Sequence, residues 1–213
     1  MGLVVAVAVL DDVREADEEA YEYYRDQFAR LAGFVAAEGY PGYTEPERIP
    51  VHLPVHEASI SYGMLHGLRR VFAHVRNGET EVPALAAGED PAADPLIDRE
   101  LSVRMDSHLV CHSDAEGYYV PVEFDDVLYP DGASEIAGGM VGSSYRLRDE
   151  LLLVAPALGI DLGPDGPTPA AAERLAGGRG DASHPLARER IVWWTLWVAA
   201  AASIGHGTAI TFQ

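Results

Sequence analysis

The sequence predicts an α+β fold: a single domain of helices packed on a mixed, partly antiparallel sheet with a central β-hairpin. Three observations predict it. A continuous valine-rich apolar run, Leu3 to Leu10, opens the chain, the pattern of a strand buried on both faces. Four later stretches repeat apolar residues at helical spacing. Two short apolar runs, Met105 to His112 and Gly117 to Phe124, are joined by Ser113, Asp114, Ala115 and Glu116, whose turn chemistry reads as a hairpin. The antiparallel pairing of that hairpin favours α+β, with helices packed on a mixed sheet. The length, 213 residues, suits one domain spanning 1–213 better than two.

Taken in order, Asp11 and Asp12 end the first strand and can cap the helix that follows. That helix runs from Asp12 to about Glu38, with Tyr24, Phe28, Leu31 and Phe34 or Val35 toward the core. Its first turns carry Asp12, Glu15, Asp17, Glu18 and Glu19, which suit the positive end of the helix dipole. Gly39 and Pro41 stop it. Residues 40–50 are turn-rich. Val51 to Val55 fits a short edge strand, since Pro54 is incompatible with a central one. A second helix is expected from Ser59 to Val75, ended by Asn77 and Gly78. Residues 77–100 show no periodicity and read as a long loop.

After the hairpin, 125–142 is an acidic, glycine-rich loop. Ser143 or Ser144 then caps a helix to Leu158, closed by Gly159. Residues 161–183 read as a second long loop. A last helix runs from Pro185 to Ile204, carrying Trp193, Trp194 and Trp197, which belong in the core. Thr208 to Phe212 is a terminal strand.

Composition narrows the chemistry. All 15 basic residues are arginine. Without lysine there is no Schiff base, no pyridoxal-phosphate site and no Walker-type phosphate lysine. The net charge of −19, from 34 acidic residues, argues against nucleic acid and against anionic membrane surfaces. It favours solubility, salt adaptation or a basic protein partner. A single cysteine, Cys111, permits no internal disulfide and no cysteine-based zinc cluster. The apolar N-terminus lacks a basic flank, so no secretory signal is expected, and a reducing cytoplasm suits the chain.

The densest chemistry lies at Asp106, Ser107, His108, Leu109, Val110, Cys111, His112, Ser113 and Asp114. On a strand, Asp106, His108, His112 and Asp114 share one face, with Leu109 and Cys111 turned to the core. Such a set suits a divalent metal such as Zn²⁺ or Mn²⁺, or acid–base work with Tyr119 nearby. On one strand His108 and His112 stand about 13 Å apart, at ~3.3 Å per residue, too far to share an ion unless the segment bends. His52 and His56 are further candidate ligands, with Pro54 between them opposing a helix. His66, Arg70 and His74 share one side of the second helix and read as a solvated polar face. Gly139, Gly142, Ser143, Ser144 and Arg146, at a helix start, form a candidate cradle for an anion or phosphometabolite.

Three functions therefore stand side by side. The first is an acidic binding protein that neutralises or scaffolds a basic partner, in the manner of immunity proteins or charge mimics. Acid-rich segments at 79–100 and 123–135, and the lack of a complete catalytic motif, favour it. The second is a small metal-dependent hydrolase using Asp106, His108, His112 and Asp114. The third is an anion binder at Gly138–Arg148.

Overall fold

Strand β1, Gly2–Val7, is followed by helices α1, Val9–Val13, and α2, Glu18–Ala37. Strand β2, Glu57–Ser61, leads straight into α3, Tyr62–Arg76. Then come α4, Pro95–Arg99, β3, Gly117–Val120, β4, Val141–Ser143, and α5, Ser144–Val154. A two-stranded ribbon of β5, Leu162–Gly163, and β6, Gly166–Pro167, precedes α6, Pro169–Ala176. Helix α7, Ala187–His206, and β7, Ile210–Phe212, complete the order. The computed structural model describes residues 2–49, 57–132, 134–177 and 183–213.

Five strands form a mixed sheet in the order β2-β1-β7-β3-β4. β1 runs antiparallel to β2 and β7, β3 antiparallel to β7, and β3 parallel to β4. The α+β class therefore holds. Alternation along the strands splits the core in two. Leu3, Val5, Val7, Tyr119, Ile210 and Phe212 face the helices α3, α5 and α7. Ala6, Tyr118, Val120 and Val141 face Phe28, Leu31 and Val35 of α2, together with Phe124, Leu128 and Ile136. The opening valine run is thus buried on both sides, as its pattern requires. Trp193 is fully buried, donates Nε1–H to the Leu151 carbonyl at 2.7 Å, and stacks on Trp197 with centroids 5.3 Å apart.

Several boundaries differ from expectation for local reasons. β1 stops at Val7 because Ala8 turns into the left-handed region (φ 60) and donates its amide to Thr208 Oγ1. The single helix expected from Asp12 to Glu38 is two, since Asp17 starts a new one by accepting from Ala20 N at 3.0 Å. Ser59 belongs to β2, and Ser61 caps α3. The strand expected at Val51–Val55 lies outside the described residues. The loops expected at 77–100 and 161–183 contain α4, the β5–β6 ribbon and α6.

The largest correction concerns the hairpin. Residues 105–112 form turns rather than a strand, and β3 takes its partners from β7 and β4. Side chains from other elements satisfy the backbone that a β-ladder would have used. Glu150 of α5 accepts from His108 N at 2.9 Å, Leu109 N at 2.7 Å and Ser107 Oγ at 3.2 Å. Arg69 of α3 donates to the carbonyls of Leu109 and His112, at 3.0 and 2.5 Å. Tyr119 donates its hydroxyl to the His108 carbonyl at 2.9 Å.

A second buried carboxylate locks the approach to β7. Glu45 is 6% exposed and accepts from Tyr43 Oη at 2.8 Å, Ala209 N at 2.7 Å and the Thr208 hydroxyl. Burial raises Glu45 and Glu150 each to about 7, although their hydrogen-bond donors pull the other way. A carboxyl raised in the folded state contributes stability in full below its unfolded value near 4.5. That contribution is lost as pH climbs through about 7, at roughly 3 kcal/mol per group. The melting temperature should therefore fall between pH 5 and pH 8. Glu45→Gln can turn its amide to Thr208 and keep its oxygen for Tyr43 and Ala209. It should flatten part of that fall and melt above the unaltered chain at pH 8. An unchanged thermal profile across this range would refute the assignment.

Candidate interaction face

The histidine and aspartate segment does not assemble into a metal centre. His108 and His112 are both buried, whereas Cys111 is only half-buried, the reverse of strand alternation. His108 receives Ser143 N on Nδ1 at 2.9 Å and donates from Nε2 to the Asp125 carbonyl at 3.0 Å. His112 donates from Nδ1 to the Ser113 carbonyl at 2.7 Å and stacks on Tyr119, centroids 4.2 Å apart. Burial drives His112 down to about 3, so it is neutral. Asp106 takes both arms of Arg76, each at 2.6 Å, and Asp114 meets His66 at 2.8 Å. Among the described residues no group of three or more His, Cys, Asp or Glu is placed to hold a metal ion. His52 and His56 lie outside the described residues.

The glycine-serine cradle is used for packing. Gly142 lies so close to the Tyr119 ring that a Cβ would fall 2.3 Å from it. Gly139 belongs to a short turn, Ala137–Gly139. Ser143 caps α5 and donates Oγ–H to the Val122 carbonyl at 2.6 Å, while Ser144 shares a hydrogen bond with Ser203. Arg146 turns its guanidinium onto Asp125 and Asp149. His66, Arg70 and His74 also differ from a solvated face. Arg70 binds Asp94 at 3.0 Å and the Pro83 carbonyl at 2.9 Å, and His74 binds Asp94 and Glu79. Arg70 and His74 pin the 79–94 segment to α3, and His66 holds Asp114.

Carboxylate remains open to a partner on α2 and on the segment after β3, as it does at Glu81, Glu89, Asp90 and Asp98. The buried stripe of α2 is Phe28, Leu31 and Val35. Glu18, Glu19, Glu22 and Asp26 point the opposite way and are exposed. Glu18, Glu22 and Asp26 recur every four residues, about 6 Å apart along the axis. Among the described residues, Glu18, Glu19 and Glu22 have no ion-pair partner. Between Met105 and Tyr145 there are eight acidic residues and no arginine. Of these, Asp106, Glu116, Glu123, Asp125, Asp126, Asp131 and Glu135 are exposed, and Asp106, Asp125 and Glu135 are paired with Arg76, Arg146 and Arg30.

The fold brings these two acidic runs together on one side of the sheet. Phe28 meets Tyr118 at 5.8 Å between centroids, Tyr40 meets Phe124 at 5.2 Å, and Arg30 of α2 pairs with Glu135. The acidity of 123–135 was legible in the sequence. The face on α2 was not, because its acids equally suit a helix N-terminus; their helical spacing was the available signal. No described helix is long and apolar enough to cross a membrane.

Comparison with protein families finds that the model described as "Putative DNA-mimic protein" matches residues 1–212. No curated protein and no solved structure matches the chain.

Proposed function

The chain belongs to this DNA-mimic family, and on that premise we propose that α2 and the 123–135 segment occupy the DNA-binding surface of a basic protein. The observation that carries the reading is a group of exposed carboxylates, Glu18, Glu19, Glu22, Glu123, Asp126 and Asp131, that have no ion pair among the described residues and lie on α2 and the segment after β3. The roughly 6 Å spacing of Glu18, Glu22 and Asp26 along α2 is of the same order as that of neighbouring phosphates on a nucleic-acid strand. A groove built from arginine and lysine to neutralise phosphates meets the same charge here on a rigid protein. The protein itself does not bind nucleic acid in this reading. It competes with DNA for a DNA-binding protein in the cytoplasm, and catalysis is no part of it.

The test is elution by the competitor. The immobilised protein is loaded with a lysate of its own cells at low salt, then washed with a short duplex DNA. The expected result is release of a protein that, once purified, binds DNA and the immobilised chain in mutually exclusive fashion. If duplex DNA releases nothing, or only proteins that then bind DNA and this chain simultaneously, the reading fails.

A further inference from the structure

At the C-terminal end of α3 stands a turn that keeps apolar side chains in water. Residues Glu100–Arg104 form one π-helical turn closed by Met105 N to the Glu100 carbonyl at 2.8 Å. Met105 adopts the left-handed conformation, φ 53, which a methionine rarely takes without constraint. The constraint is visible. Glu100 is fully buried and accepts from Arg76 at 3.0 Å and from Arg104. Arg76 also grips Asp106 with both arms, and Tyr129 donates its hydroxyl to the Met105 carbonyl at 3.3 Å. The outcome is an exposed apolar group: Leu101 46%, Val103 72%, Met105 50% and Tyr129 48%.

A loop with no task beyond connecting elements does not need its backbone strained and clamped to expose three large apolar residues, Leu101, Val103 and Met105. Preorganised Met and Tyr side chains are what a protein interface uses as anchors. Tyr129, whose hydroxyl holds the Met105 carbonyl, ties the turn to the segment after β3, where the exposed carboxylates Asp126 and Asp131 flank it in sequence. Arg76 and Arg104 are turned onto Glu100 and Asp106, so their charge is neutralised toward a basic partner, while Arg99, bound to Asn77 Oδ1 at 3.3 Å, stays exposed at the start of the turn.

We propose that Leu101, Val103, Met105 and Tyr129 contact the same basic DNA-binding protein, on apolar surface bordering its DNA groove. The inference rests on the DNA-mimic reading and deepens it. DNA offers no such ridge, so this contact lets the partner hold the mimic when salt has screened the carboxylates. It makes a salt-resistant component of binding, and makes the mimic selective among basic proteins.

The test uses the partner released by duplex DNA, titrated against the full chain over a salt series. Val103→Ser combined with Met105→Ser should weaken binding about tenfold at high salt. It should leave the slope of log affinity against log salt unchanged. Far-ultraviolet circular dichroism and melting temperature, expected to match the unaltered chain, control for folding. Equal affinity for variant and unaltered chain across the series removes the patch from the interface while leaving DNA mimicry standing. Self-association seen by sedimentation and abolished in the variant would overturn the proposal by assigning the patch to a second copy. If no partner is released by DNA, both readings fall together.

Discussion

Neutralising Glu18, Glu19, Glu22 and Glu123 to Gln, with Asp126 and Asp131 to Asn, should weaken binding to the DNA-released partner about a hundredfold near 0.1 M salt. Each of these carboxylates is exposed and has no ion pair among the described residues, so each is available to an arginine or lysine of the partner. Exposed pairs contribute about 0.5 kcal/mol each, mid-range for such pairs, and six together reach about 3 kcal/mol, or two orders of magnitude. The loss should fall mainly on association rate, because the charges also steer encounter. The salt slope should flatten in the variant, in contrast to the Val103→Ser, Met105→Ser pair. Folding is preserved by design. Asp17 remains to cap α2, and Asp131→Asn keeps a side-chain oxygen for Ser134 N, which Asp131 binds at 3.0 Å. Surface plasmon resonance at several salt concentrations reads both quantities. An affinity within threefold of the unaltered chain would show that the partner docks elsewhere.

The second large effect is on stability. Glu150→Ala should lower the melting temperature by about 10 °C. It strips the acceptor from His108 N, Leu109 N and Ser107 Oγ at once. His108, Leu109 and Ser107 are all buried, so water cannot replace the carboxylate freely. Orphaning this set costs roughly 3–5 kcal/mol, and a chain of this size moves ~2–4 °C per kcal/mol. Glu150→Gln should cost less, since its remaining oxygen still accepts from Leu109 and Ser107 while its amide faces His108 N–H. Differential scanning calorimetry at pH 6 checks the pair, and a shift below 2 °C for the alanine variant would remove Glu150 from this role.

These two sites show unevenly what the sequence makes visible. The apolar run at Leu3–Leu10, the helix through Tyr24, Phe28 and Leu31, and the tryptophan helix all declare themselves locally. Their burial follows from periodicity alone. The segment 105–112 does not, because its conformation is decided by Glu150, Arg69 and Tyr119. Glu150 and Arg69 lie 42 and 40 residues from the amide and carbonyl they bind. Alternation then predicts buried cysteine and outward histidines, and the structure has the reverse. Other features were legible but unread. Asp90-Pro91, Asp94-Pro95 and Thr168-Pro169 are each a cap followed by proline at the first helical position. They mark short helices inside segments expected to be loops. Net charge pointed to a basic partner, and the family match narrows that to a DNA-binding one.

The place of β7 in the sheet has a consequence for biosynthesis. It is the central strand, pairing Val5 with Phe212 on one side and Tyr119 with Ile210 on the other. Residues 210–212 leave the ribosome some two hundred residues after β1. Until then β1 and β3 have no bridge, and only the more local β1–β2 ladder can form. The nascent chain must therefore wait, its two half-cores unjoined, and collapse cooperatively once β7 emerges. A prematurely terminated product lacking β7 has no continuous sheet on which to set α2 beside the 123–135 segment. Message truncation then yields an unfolded acidic chain rather than a partial inhibitor of DNA binding.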